Sequence, residues 1–142
     1  RCNTDTLVIP WRLLASDYDR ADFIGNSSEV TVADEYDCTF AHGGCGFWLS
    51  AMAAKILIAA KPCEGFEDQW AGRTLQAKGI LPLHDARYSM GKSYKLDQPV
   101  ALQTNDIISV HLGQSFGEFK PEMMQKAWHA YDLPANLRKV RG

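Results

Sequence analysis

Apolar residues occur in short blocks along the first forty positions, and these blocks predict small elements of structure. The run TLVIP at 6–10 predicts the end of a strand that Pro10 closes, because proline cannot donate a ladder hydrogen bond. The following PWRLLAS predicts a short helix with this proline in its first turn. ADFIGN at 21–26 is another short apolar run, which a Gly-Asn turn ends. The polar stretch 26–39 predicts a loop with one edge strand at EVTV.

Two helices are predicted in the middle of the chain, on either side of Pro62. Ser50 is a suitable N-cap for AMAAKILIAAK, in which one face is shared by Met52, Ile56 and either Ala59 or Ala60. GFEDQWAGRTLQAKG predicts the second helix. It has two acidic residues near its start, where the helix dipole favours negative charge, and a glycine near its end.

The last third of the chain predicts a hairpin followed by an amphipathic helix. PVALQTNDIISVHL at 99–112 has turn residues at its centre. Ile108 and Val110 alternate onto one face, so His111 on the other face is expected to look away from the main apolar layer. KPEMMQKAWHAY at 120–131 fits the helical period. Because helices and strands mix without a βαβ repeat, the pattern predicts an α/β or α+β domain.

Composition indicates one globular domain and argues against two classes of partner. The 142 residues suffice for one domain, and 46% of them are hydrophobic, so we expect a packed core. The net charge of −2 lacks the basic excess that drives nucleic-acid binding. The most apolar stretch, 46–61, is shorter than a spanning helix requires and Lys55 interrupts it, so we expect no membrane segment.

The four cysteines, at positions 2, 38, 45 and 63, form no CxxC pair, which argues against a tight zinc knuckle. Cys38, His42 and Cys45 have an irregular spacing for a zinc site. Small buried thiols and a single disulfide both remain compatible with the sequence.

Asn3 and Asp5, in the stretch CNTDT before the first strand, are the first candidates for chemistry. Hard cations such as Mg²⁺ or Mn²⁺ prefer oxygen ligands, and two acidic residues at a strand end would supply them. Asn3 offers a neutral carbonyl oxygen in place of a carboxylate. An Asx turn that caps the strand would explain the same residues, so both interpretations stay open on this stretch alone.

Glu67 and Asp68 are the second candidates. One of them could be a general base that deprotonates a hydroxyl, while both are also ordinary capping charges at a helix start. Neighbours in a helix diverge by about 100°, so only one can point into a given cleft. His111 and His84 could each complete a cation site through a neutral imidazole, although a structural role is commoner for a single histidine.

Several segments together resemble a known enzyme family, in the order in which its motifs occur. RCNTDTLVIPWRLL is similar to the segment Lys-x-Asp-Asp-Asp-Thr-aromatic-Val, followed by Pro-Arg-Leu-Leu, of fringe-like and β-1,3-galactosyltransferase-like enzymes. FAHGGCGFWLS resembles their Tyr-x-x-Gly-Gly-x-Gly-Tyr-x-Leu-Ser stretch. FEDQWAGRTLQAKGI resembles their Glu-Asp-Val-x-x-Gly-x-x-Leu-x-x-x-Gly-Ile stretch. The matching blocks lie within residues 1–80.

The resemblance implies a GT-A fold, a mixed sheet flanked by helices, and an inverting glycosyltransferase that uses a UDP-sugar and a divalent cation, Mn²⁺ or Mg²⁺. By position, Asp5 matches the usual metal ligand, and Asn3 replaces the first aspartate of the metal motif. Asp68 matches the proposed catalytic base. A histidine on a later strand often closes the metal site of such enzymes, which makes His111 the first candidate and His84 the second.

The resemblance also implies a substrate-binding surface. Three glycines match the family's loop beside the sugar and acceptor, where backbone must approach without a Cβ clash: Gly43, Gly44 and Gly46. Glu67 and His84 join them as substrate-binding candidates, and Trp48 offers a ring for a sugar face, although core packing would also explain it. The expected partners are a nucleotide-sugar donor and a glycan or glycoprotein acceptor.

Two departures from the family pattern limit these expectations. Asn3 removes a charge from the cation site, which would weaken metal binding or make it outer-sphere. The family's nucleotide-binding βαβ portion precedes the aspartate motif, so residues 1–142 are expected to form only the C-terminal, metal- and acceptor-binding part of a GT-A domain. A non-catalytic carbohydrate-binding or scaffold domain of the same descent is the alternative.

Overall fold

The computed structural model describes residues 1–2, 6–32, 36–62, 65–90 and 107–112, together with positions 122 and 125. Within this part of the chain, short helices accompany small sheets, one of them purely antiparallel and two mixed. This arrangement confirms the mixed α/β class. Several sequence predictions lie outside the described residues, namely the turn at 104–106, most of the helix at 120–131, and the positions of Asn3, Asp5 and Cys63.

The elements follow one another along the chain as β1 (Thr6–Val8), α1 (Pro10–Leu14), β2 (Phe23–Gly25), β3 (Ser27–Val32), β4 (Tyr36–Ala41), β5 (Phe47–Leu49), α2 (Ala51–Ala59), α3 (Glu67–Gln76), β6 (Leu83–His84), β7 (Tyr88–Ser89) and β8 (Ser109–His111). Pro10 occupies the start of α1, as predicted from its fixed φ and missing N–H. The first strand and the two central helices also lie where the sequence predicts them.

Helix α2 has the predicted cap but buries a different face. The Ser50 hydroxyl accepts a hydrogen bond from the N–H of Ala53 at 3.1 Å. Ala53 is fully buried, and Ile56 and Leu57 pack beside it on the core. Met52 is 53% exposed, so the predicted apolar face is wrong at this position. The helix is apolar on several sides, and its periodicity alone therefore does not determine which side packs inward.

Two three-stranded sheets carry most of the described core. The first has the order β1-β8-β7, with β1 antiparallel and β7 parallel to the central strand. The second has the order β5-β2-β6, with β5 antiparallel and β6 parallel to the central strand. Both sheets therefore bring together segments that lie far apart in the sequence.

Residues 26–39 contain the predicted strand at EVTV, which lies within β3, but they also begin a second strand, β4, where the sequence predicts a loop. Strands β3 and β4 pair antiparallel from Ser27↔Ala41 to Val32↔Tyr36. The backbone ladder of this pair satisfies N–H and C=O groups that local composition does not reveal, and strand formation depends strongly on such pairing. Strand β5, which follows the glycine-rich stretch directly, was not predicted either.

Strand β8 is buried on both of its faces. Val110 is fully buried and packs with Leu7 and Ile9, and its neighbour Ser109, whose side chain points to the other face, is 2% exposed. The face of β8 that was expected to look away from the main apolar layer is therefore covered as well, and the Ser109 hydroxyl there donates to the carbonyl oxygen of Cys45. No helix in the described ranges has the length and apolar character needed to cross a bilayer.

Candidate functional site

Residues 42–46, here called the glycine turn, connect β4 to β5. The N–H of Gly46 donates to the carbonyl oxygen of Gly43 at 3.1 Å and closes the turn. Gly46 has a φ of 82°, and a Cβ there would lie 2.7 Å from the backbone oxygen of Arg1. Only glycine fits this position without strain, because L side chains rarely adopt such a φ and no space exists for one.

Asp68, the predicted base, lies directly against the glycine turn. Its Oδ2 accepts a hydrogen bond from the N–H of Gly43 at 3.0 Å, and its Oδ1 accepts one from the N–H of Gln69 at 2.9 Å. The side chain reaches the turn because α3 lies close on β4: a Cβ at Gly72 would be 2.6 Å from Cβ of Phe40. Because Gly72 has no side chain, α3 packs close to β4, and this packing brings the first turn of α3 near the end of β4.

Glu67, the other carboxylate of the predicted pair, points to a different partner. Its Oε1 pairs with Nη2 of Arg1, and Nη1 of the same guanidinium donates to the carbonyl oxygen of Gly43 at 3.1 Å. Both side chains nevertheless approach the same residue, because a Cβ on Gly43 would lie 3.4 Å from Cβ of Asp68 and 3.4 Å from Oε1 of Glu67, so their consecutive helical positions do not separate them there. A substrate-binding role for Glu67 stays a prediction.

His111, the predicted metal ligand, also lies against the glycine turn. It stands opposite Thr6 in the β1–β8 pair, and a Cβ on Gly44 would be 2.8 Å from its Nδ1. The Thr6 hydroxyl donates to the carbonyl oxygen of Gly44. Asp68 and His111 are distant in sequence, but they lie against two consecutive glycines, Gly43 and Gly44. Thr6, the residue of β1 that follows Asp5 in the chain, contacts Gly44 as well.

A cation site is not complete within the described residues. Among them, no three His, Cys, Asp or Glu side chains are grouped so as to hold a metal ion. His111 is the described member of the predicted ligand set, since Asn3 and Asp5 lie outside the described residues. The predicted Mn²⁺ or Mg²⁺ site therefore stays a prediction.

Trp48 and His84 have neighbours other than Asp68 and His111, and Trp48 shares a pocket wall with Cys45 and Gly46 of the glycine turn. Trp48 contacts the ring of Tyr18 edge-on, with 4.5 Å between ring centroids, and lines a pocket of about 170 Å³ whose described walls include neither Asp68 nor His111. His84 is in β6, on the opposite side of β2 from β5, and its Nδ1 accepts from the N–H of Ser27 at 3.1 Å. Their predicted substrate roles gain no support from this placement.

Cys45 is a structural thiol inside the glycine turn. Burial raises the pKa of its thiol to about 12, so the group is neutral at physiological pH. Its sulfur donates to the carbonyl oxygen of His42 at 3.4 Å. Cys2 and Cys45 are free thiols.

Three polar contacts that the sequence pattern did not indicate hold the turn in place. Arg1 donates to Gly43, Thr6 donates to Gly44, and the Ser109 hydroxyl donates to the carbonyl oxygen of Cys45 at 2.6 Å. Thr6 and Ser109 are both at least 90% buried, and each is a hydroxyl residue within an apolar strand. A single hydroxyl residue within an apolar strand could have indicated these contacts, because a buried hydroxyl requires a hydrogen-bond partner.

Comparison of the chain with protein-family models, curated protein sequences and solved structures finds no match.

Proposed function

We propose that this chain is the metal- and acceptor-binding part of an inverting glycosyltransferase with a GT-A fold. The enzyme transfers a sugar from a UDP-sugar to a hydroxyl of a glycan or glycoprotein. One observation carries the proposal: Asp68 and His111 lie against consecutive residues, Gly43 and Gly44, of one turn. This arrangement supports the roles that the family resemblance implies for the carboxylate and the imidazole.

Asp68 is the general base in this proposal. Each of its carboxylate oxygens accepts one backbone hydrogen bond and retains a second lone pair, so the group can still accept a proton from a hydroxyl. The acceptor oxygen forms the new bond to the anomeric carbon as the bond to UDP breaks, and the proton passes to Asp68. Attack opposite the leaving group inverts the anomeric configuration.

His111 fits the cation site of this proposal, together with Asp5 and Asn3. Its imidazole lies beside Thr6, directly after Asp5 in the chain, which supports a shared location for these side chains. Imidazole and carboxylate are ligands that Mn²⁺ accepts. When bound, the cation neutralises charge that develops on the departing diphosphate.

Substitution of Asp68 by asparagine tests the base. Asparagine retains the size of the side chain but cannot take the proton, so we expect the transfer rate to fall by about 10²- to 10⁴-fold with the cation dependence unchanged. The control is Asp19→Asn, an exposed carboxylate outside the site. Steady-state transfer by the full-length protein measures both variants. Transfer by Asp68→Asn at the wild-type rate would rule out this base.

A non-catalytic carbohydrate-binding domain is the second candidate, and Asn3 favours it. An amide in place of the first carboxylate lowers the negative charge available to a cation. This candidate predicts glycan binding by calorimetry without any sugar transfer, in the presence or absence of Mn²⁺.

A further inference from the structure

Both backbone polar groups of Gly43 are connected to α3 through hydrogen bonds. The N–H bonds to α3 directly, and the carbonyl oxygen is connected to it through Arg1. The N–H donates to Asp68, and the carbonyl oxygen accepts from Arg1, whose guanidinium also pairs with Glu67. The backbone of Arg1 exchanges hydrogen bonds with Phe47 at 3.0 and 2.9 Å. Arg1 therefore connects the start of α3 to residues at both ends of the glycine turn.

The guanidinium of Arg1 suits this bridging position. Its planar fork presents separate N–H groups in fixed directions, and the structure uses one for a carboxylate and another for a carbonyl. A lysine ammonium is a single charged centre and does not reproduce the fork. A Cβ on Gly43 would lie 3.1 Å from Arg1 Nη1, so the missing side chain at Gly43 gives the guanidinium its space.

This ion pair is poorly placed to stabilise the fold. The side chain of Arg1 is 35% exposed and that of Glu67 is 58% exposed. Exposed ion pairs contribute little to folding because water screens them and two long side chains lose freedom. The geometric consequence of the ion pair is local, because the pair restrains the peptide groups of Gly43, whose N–H donates to Asp68.

We propose that Arg1 and Glu67 are a positioning pair, which holds Gly43 so that its N–H fixes the Asp68 carboxylate. Glu67 then acts through Arg1 and has no direct contact with substrate, unlike the role that the family resemblance implies for it. The consequence for catalysis rests on the proposed function, whereas the effect on Gly43 does not depend on it.

Amide hydrogen exchange at Gly43, followed by NMR in the full-length protein, tests the structural part. Glu67→Gln removes the charge partner of Arg1, and we expect the Gly43 N–H to exchange about two- to tenfold faster. Arg1→Lys keeps the charge but loses the fork, so we expect an increase of similar size. Asp68→Asn serves as a reference because it alters the acceptor of this N–H directly.

The matched control is Asp17→Asn. Asp17 pairs with Arg20 at 2.8 Å and with Arg87 at 3.2 Å, and the side chains of Asp17 and Arg20 are 57% and 38% exposed, close to the values for Glu67 and Arg1. This variant should leave exchange at Gly43 unchanged. Wild-type exchange at Gly43 in Glu67→Gln would overturn the positioning pair, whether or not the protein transfers sugar.

Kinetics test the catalytic consequence. A displaced base slows the chemical step, so Glu67→Gln is expected to lower kcat about two- to tenfold with the donor and acceptor KM values unchanged. A raised KM at unchanged kcat would instead place Glu67 in contact with substrate and overturn the proposal. If the wild-type protein shows no transfer, the proposed function fails, and the exchange experiment still decides the positioning pair.

Discussion

At the residue scale, the glycines of the turn serve to bring side chains together. The sequence pattern indicates close approach of backbone to a ligand. In the structure, the close neighbours of Gly43 are Arg1, Asp68 and Glu67, and the close neighbour of Gly44 is the ring of His111. The candidate residues could be predicted because their types and their order along the chain resemble the active-site motifs of an enzyme family. Their contacts could not be predicted, since the side chains of Arg1 and Thr6 hydrogen-bond to residues of the turn that lie far away in the sequence.

Gly44→Ala tests this close approach. The new methyl group would lie 2.8 Å from Nδ1 of His111, so the imidazole or the turn must move. We expect the free energy of unfolding to fall by about 1–3 kcal/mol, the usual range for overpacking. Urea denaturation measures the change.

Gly43→Ala is the comparison at the neighbouring position. Its nearest contact would be the end of the flexible Arg1 side chain at 3.1 Å, so we expect a smaller loss of stability. A Gly44→Ala protein as stable as wild type, with an unchanged NMR spectrum of His111, would contradict the described packing.

At the element scale, local signals predict helices better than strands. Pro10 and Ser50 mark helix starts by local chemistry, and the structure places helices at both. The β3–β4 hairpin and β5 depend on partners elsewhere in the chain, and polarity along 26–39 conceals them. The exposure of Met52 shows the same limit, because the rest of the fold decides which side of α2 packs inward.

Gly72→Ala tests how α3 is positioned. A Cβ at this residue would be 2.6 Å from Cβ of Phe40 and 2.7 Å from the backbone oxygen of Thr39, so the helix would have to move away from β4. We expect a loss of about 1–3 kcal/mol in urea unfolding, despite the better helix propensity of alanine.

The same displacement should weaken the contact between Asp68 and Gly43, seen as faster amide exchange at Gly43. Lys55→Ala, an exposed position on α2, is the control and should change stability by less than about 0.5 kcal/mol. Unchanged exchange at Gly43 in Gly72→Ala would show that the position of Asp68 does not depend on this packing.

At the scale of the whole molecule, a group of charged residues joins segments that no sequence pattern associates. The carboxylate of Asp85 is 6% exposed and accepts from Arg87 Nη2 at 2.7 Å and from Arg20 Nη2 at 3.2 Å. Burial opposes its ionisation, but the hydrogen bonds and charge of Arg87, with the charge of Arg20, outweigh it and lower the pKa of Asp85. The network links the β6–β7 connection to the segment after α1.

This network predicts a pH dependence of stability. Because the pKa of Asp85 is lower in the folded state than its unfolded value of about 3.9, its contribution is present above that pH and is lost as pH falls through the folded value. Asp85→Asn should lower the free energy of unfolding at pH 7 by about 1–3 kcal/mol, because partners of the carboxylate lose their acceptor, and should flatten the decline of stability in acid. Urea unfolding between pH 7 and pH 2 measures both effects. If the stability of Asp85→Asn falls in acid as steeply as that of the wild type, groups other than Asp85 cause the fall.

The anomeric configuration of the product, followed by NMR, tests the central claim most directly. The full-length protein is incubated with an α-linked UDP-sugar and a glycan acceptor, with Mn²⁺ or with a chelator. Inverting, metal-dependent transfer would give a new β-glycosidic linkage with Mn²⁺ and no transfer with the chelator. A product with retained configuration, or glycan binding without any transfer, would contradict it.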